Sequence, residues 1–169
     1  MSEKEENIIA KFKEALAKGD VPTIRYMLSF TERYDQMARN IKAYEQYLAC
    51  GYTDKPSFDA YGWIDNDKVL EKAKESESIF QEDRFELIVE LCQFPNGKWV
   101  SGIKINLSES GHYGGVSIWN TQYPNRHSAY MAALKSALAD VQHSSCKSDF
   151  KYIKIIKQKM VAALEPSLF

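Results

Sequence analysis

The sequence predicts an α+β fold: an N-terminal helical hairpin with a long second helix, a three-stranded antiparallel sheet and two C-terminal helices. Three observations predict it. Apolar residues recur at helical spacing up to about residue 50, alternate with polar ones from Phe85 to Trp119, and return to helical spacing after Arg126. At 169 residues, 44% apolar and 27% charged, the chain reads as one soluble domain, or a domain with an appendage. A chain of this size buries roughly two-thirds of its unfolded surface and needs no disulfide or metal staple. Its 3 Trp, 10 Tyr and 8 Phe argue against disorder. No apolar run approaches the ~18 residues of a membrane span, and Met1–Asn7 is too acidic and polar for a signal peptide. No membrane association is expected.

The first helix is expected over Glu3–Lys18, where Ile8, Ile9, Phe12 and Leu16 share a face and Gly19 supplies a left-handed end. Asp20 then caps a second helix, with Pro22 in its first turn. Met27, Phe30, Tyr34, Met37, Ile41, Tyr44 and Leu48 step alternately by three and four, a heptad seam that predicts one helix from Val21 to Cys50. Such a helix runs ~45 Å against ~24 Å for the first, so its far half needs another surface. Gly51–Gly62 is a connector rich in turn residues, Asp65 caps a third helix reaching Ser78, and Ser76–Asp83 reads as a polar loop. Phe85–Leu91 and Trp99–Leu107 alternate as strands around the Pro95-Asn96-Gly97 turn, and Val116–Trp119 gives a third strand after a turn at Ser108–Gly115. Helices follow over Arg126–Val141 and Ser148–Leu164. Residues 1–62 thus form a hairpin and connector, and residues 63–169 an α-β-β-β-α-α portion packed with it as one unit.

From Asp65 to Val141 the order helix, strand, strand, strand, helix resembles a double-stranded-RNA-binding domain. Ala129, Ala132, Ala133, Ala137 and Leu138 match the spacing of that family's second helix. Where the family has paired lysines this chain has Arg126 and His127, and Pro95-Asn96-Gly97-Lys98 replaces the family's Gly-Pro-x-His loop. Gly97, Trp99 and Gly102, followed by an alanine-rich helix, are also similar to small uncharacterised phage and plasmid proteins. The resemblance implies the topology and a phage or mobile-element setting.

Charge is divided along the chain: residues 1–90 sum to −6 and residues 91–169 to +5. A basic half invites a polyanion. Lys104 and Asn106 are expected beside Trp119 on the outward sheet face, a stacking platform for unpaired bases, although Glu86 and Glu90 share that face. Lys147, Lys151, Lys154 and Lys157 form a stripe on the last helix that can track a phosphate backbone. Together with Arg126 these residues predict one continuous cationic shelf that binds DNA, RNA or a nucleoprotein. The alternative is a protein-interaction module, homodimeric or heterologous, using Met37, Ile41, Tyr44 and Leu48 of the long helix.

Other chemistries are weakly signalled. Gly111, Gly114 and Gly115 are candidates to cradle an anion, but they feed a strand rather than a helix. His143 and Cys146 are close enough in sequence for a thiol–imidazole pair, whereas His112 and His127 are isolated. Asp65, Asp67 and Glu71 are acidic neighbours without calcium-loop spacing. No nucleotide-loop, hydrolase or zinc pattern occurs, so a non-enzymatic accessory role without cofactor or metal is expected. Cys50, Cys92 and Cys146 have unrelated spacings and suggest free thiols in the cytoplasm.

Overall fold

A computed structural model describes residues 3–28, 34–53 and 74–164. The described residues form five α-helices and one four-stranded antiparallel sheet, and the chain divides into two compact units, Met1–Asp65 and Asn66–Phe169.

The first unit holds α1 (Glu3–Lys18), α2 (Val21–Leu28) and α3 (Tyr34–Ala49). Gly19 ends α1 at φ +64°, a conformation that costs other residues a Cβ clash. Asp20 accepts from the Thr23 backbone N–H at 3.1 Å and from its hydroxyl at 2.6 Å, capping α2. The single long helix does not form. The Tyr26 and Tyr44 rings stack with centroids 5.2 Å apart, whereas one straight helix would separate these residues by about 27 Å. The α2 and α3 segments therefore fold back against each other. Heptad spacing specifies an apolar stripe without specifying an unbroken rod. Ala15, Tyr26, Met27, Ala43, Tyr47 and Cys50 are buried in this unit, and burial pushes the Tyr26 hydroxyl pKa up. Lys11 and Glu45, 2.5 Å apart, join α1 to α3.

The second unit is built on β1 (Lys74–Glu82), β2 (Phe85–Gln93), β3 (Trp99–Asn106) and β4 (Gly111–Gly114), adjacent in that order. Gly97, at φ +82°, makes the turn between β2 and β3, and the Asn96 side chain accepts from Lys98 N–H at 2.9 Å. Leu87 pairs with Ile105 and Val89 with Ile103, so the odd-numbered positions of β2 and β3 share one buried face. Two helices cover that face: α4 (Arg126–Gln142), capped by Asn125 accepting from Ser128 N–H at 2.8 Å, and α5 (Lys151–Leu164), preceded by a 3-10 turn at Lys147–Phe150. Ala129, Ala133 and Ala137 let α4 lie close to β2 and β3. Beside it, α5 lies over β1, and Tyr152 stacks on Phe80 at 4.1 Å, a pairing worth about 0.5–1.5 kcal/mol beyond the area it buries.

Two strand expectations are corrected. Lys74–Glu82, read as a helix end and a polar loop, is β1. A bulge between Ser78 and Phe80 breaks its alternation, so Ile79 and Phe80 are both buried, and as an edge strand it tolerates charge elsewhere. Residues 54–73, including the start of the expected third helix, lie outside the described residues. The strand expected at Val116–Trp119 lies instead at Gly111–Gly114, the fourth of the sheet, pairing Lys104 with Tyr113 and Ile105 with His112. After Gly114 the chain leaves the ladder and rejoins β3 at Tyr123, through Trp99 N–H to Tyr123 O at 2.9 Å and Tyr123 N–H to Trp99 O at 2.7 Å. Over that excursion the Asn120 amide donates to Ser101 O at 2.8 Å in place of a backbone partner. Val116 and Ile118 are buried and anchor it.

Gly102 makes this path possible. A Cβ there would lie 2.4 Å from Gly114 O and 2.7 Å from Val116 N, so the returning chain occupies the space of the missing side chain. At the other end of the sheet Asp149, 1% exposed, accepts from the Ser108 hydroxyl at 2.5 Å, the Ser144 hydroxyl at 2.6 Å and the Ser108 N–H at 3.3 Å. Burial alone would raise its pKa, but these hydrogen bonds and the Lys151 charge together hold it below the usual 3.8.

Gly102→Ala is expected to cost about 1–3 kcal/mol, read as a lower urea midpoint at unchanged slope, because only backbone can yield. Asp149→Ala is expected to cost about 1–3 kcal/mol at neutral pH. Since the folded state lowers the Asp149 pKa, its stabilisation is complete above the unfolded value and fades as pH falls through the folded one. Urea melts from pH 7 downward should show the gap between wild type and variant narrowing below pH 3.8.

Candidate functional site

The expected nucleic-acid residues do not form one shelf. Lys104 Nζ lies 2.7 Å from Glu86, which also accepts from the Asn106 amide at 2.6 Å. Arg126 pairs with Glu75 at 2.9 Å and Lys151 with Glu82 at 2.7 Å. Lys159 meets Glu77 at 3.1 Å, and Lys74 meets the 7%-exposed Glu90 at 2.7 Å. Five glutamates of β1 and β2, most of the acidic half's contribution to this unit, are thus spent on cations of the same unit. Asn66–Phe169 holds 13 Lys and Arg against 12 Asp and Glu, so the split read along the chain is nearly balanced in space. Lys147, Lys154 and Lys157 are exposed, and none has a carboxylate within 4.0 Å among the described residues. They belong to α5 and its leading turn, with α5 over β1, whereas Trp119 sits beside β3 at the opposite side of the sheet order.

Trp119 is 55% exposed, between the buried Ile118 and the anchored Asn120. It does not lie on a strand as expected, and Val116 N–H points to Glu90 on the sheet face away from α4, at 3.4 Å. Tyr113, 64% exposed, stands opposite Lys104 on that same face. Its place on a strand was hidden in the sequence because Ser108–Gly115 reads as a turn.

A second feature lies between this edge and α4. Ser101 and Ile103 of β3, His112 and Gly114 of β4, Asn120, Thr121 and Tyr123 of the excursion, and Ala132, Ala133 and Ser136 of α4 enclose a cleft of about 300 Å³. His112 Nδ1 lies 3.3 Å from Asp140 Oδ2 of α4. A carboxylate accepts only, so this contact places a proton on Nδ1 and leaves Nε2 to other partners. Nε2 is 3.1 Å from where a Cβ of Gly114 would stand, and that glycine gives the imidazole its room. His112 and Asp140 are 28 residues apart, and only the strand order brings them together.

The remaining candidates resolve differently. Gly111 and Gly114 bound β4 and belong to a ladder rather than an anion loop. His143 Nδ1 lies 2.6 Å from Ala139 O at the end of α4, while Cys146 Sγ lies 3.1 Å from the Ser148 hydroxyl, so no thiol–imidazole pair forms. The Ser148 and Ser108 hydroxyls draw the Cys146 thiol below its usual pKa. Burial pushes Cys92 up to about 11, which leaves it an inert hydrophobe. Of the expected protein interface, Tyr44 stacks inside its own unit and Leu48 is exposed, whereas the side chains of Met37 and Ile41 lie outside the described residues. Asp65, Asp67 and Glu71 also lie outside them. Among the described residues no three metal-ligating side chains converge, and no helix is long and apolar enough to cross a membrane. This chain matches no family model, no curated protein and no solved structure.

Proposed function

We propose that this protein is a non-enzymatic accessory protein that binds single-stranded nucleic acid at the β3–β4 edge of its second unit, with Trp119 and Tyr113 stacking on unpaired bases. The observation that carries this reading is the exposure of Trp119 on a segment fixed at both ends. Two buried anchors and a side-chain hydrogen bond hold that segment, so the ring is presented to water rather than left on a loose loop. A fixed aromatic face accepts any base and contributes ~1–3 kcal/mol per stacked base. Lys104 stands opposite Tyr113 and exchanges Glu86 for phosphate at a cost, so phosphate attraction at this edge is modest. Lys147, Lys154 and Lys157 offer further phosphate contacts to an oligonucleotide long enough to reach α5, whereas Arg126 and Lys151 contribute little because their charges are already met.

A second reading has its own observation. Val161 and Leu164 of α5, and Phe150 of the 3-10 turn that leads into it, are exposed, with Lys154 and Lys157 between them in sequence. That stripe suits an acidic amphipathic helix of a protein partner.

Fluorescence-anisotropy titration with labelled single- and double-stranded DNA and RNA at low salt separates these readings. The expected outcome is single-strand preference, with Trp119→Ala weakening binding about 5- to 150-fold and Trp119→Phe much less. Lys154→Glu/Lys157→Glu should flatten the salt dependence for long oligonucleotides and leave short ones unchanged. Absence of binding to every nucleic acid, or binding indifferent to Trp119, overturns the reading.

A further inference from the structure

We infer that the cleft between β3, β4 and α4 is a binding pocket for one uncharged, planar heterocycle, a nucleobase, and that it receives the base next to the one stacked on Trp119. This deepens the proposed function and rests on it for the source of the base, but the pocket chemistry stands separately. No Lys, Arg, Asp or Glu lines the cleft, so neither a phosphate nor an ammonium group finds its counter-charge there. What the walls offer is an apolar floor of Ile103, Ala132 and Ala133 beneath neutral polar groups. The hydroxyls of Thr121 and Ser136 donate or accept. Asn120 uses its amide N–H on backbone oxygens and keeps its carbonyl oxygen as an acceptor. His112, oriented by Asp140, supplies Nε2.

An apolar slot edged by mixed donors and acceptors matches the face and the edge of a base. The volume, about 300 Å³, admits a nucleoside rather than a longer fragment. Asn120 and Thr121 follow Trp119 directly in the chain, so the stacking ring and the cleft wall are parts of one anchored excursion. Gly114 and Ala132 keep the space open, since a larger side chain at either position would enter it.

The test follows the His112 ring protons and the backbone amides of Thr121 and Ser136 by NMR, while free nucleosides, ribose and a short oligonucleotide are each titrated into the full chain. At least one nucleoside should shift these signals saturably, and ribose alone should not. Ser136→Leu, at an exposed position, should abolish the shifts and weaken oligonucleotide binding about 5- to 10-fold. His112→Ala, checked for folding by its melting curve, should change which nucleoside is preferred. Oligonucleotide binding with no nucleoside shift and no effect of Ser136→Leu overturns the pocket and leaves the Trp119 reading intact. Nucleoside binding without oligonucleotide binding supports the pocket and overturns that reading. A response to ribose equal to that of the nucleosides overturns the assignment to a base.

Discussion

The missing side chain at Gly102 is the constraint on which the second unit's candidate site depends. Because β3 has no Cβ there, residues 114–116 pass against the strand at distances that any other residue would forbid. That close passage ends β4 after four residues and sends the chain over the Glu90 side of the sheet before it rejoins β3 at Tyr123. The exposure of Trp119, the burial of Val116 and Ile118 and the walls of the cleft all follow from this path.

A second physical theme is the internal use of charge. Edge strand β1 is mostly polar, and its carboxylates meet cations from α4 and α5 rather than solvent alone. Exposed pairs of this kind each contribute little to stability. Together they tie β1, which has few apolar residues, to α4 and α5, and they lower the positive field expected of the C-terminal half. Electrostatic steering is correspondingly weak. On the proposed function, recognition falls to aromatic, hydroxyl, amide and imidazole groups.

Much of the architecture was legible from spacing. The period-two runs of Phe85–Leu91 and Trp99–Leu107, the Gly97 turn, the Gly19 end of α1 and the alanine face of α4 each carry a local signal strong enough to place them. What was not legible shares a cause: the deciding interaction lies far away in sequence. The β1 bulge makes Ile79 and Phe80 both buried, which no alternating pattern represents. The fold-back of α2 on α3 keeps the same heptad spacing as a straight helix and is visible only in the Tyr26–Tyr44 contact. Val116–Trp119 alternates like a strand, yet Gly102 and Asn120 hold it out of the ladder. The cleft was hidden for the same reason, because His112 and Asp140 meet only once β4 lies beside α4.

The excursion after β4 is fixed at Val116, Ile118 and Asn120 and presents Trp119 to solvent, where the proposed function places the ligand. Solvent paramagnetic relaxation, measured on the Trp119 indole N–H and on the methyl groups of Val116 and Ile118, addresses it directly. Strong broadening is expected at Trp119 and little at Val116 and Ile118 in the free protein, with Trp119 becoming protected when single-stranded oligonucleotide is added. Protection of Trp119 in the free protein, or equal broadening at all three residues, would contradict it.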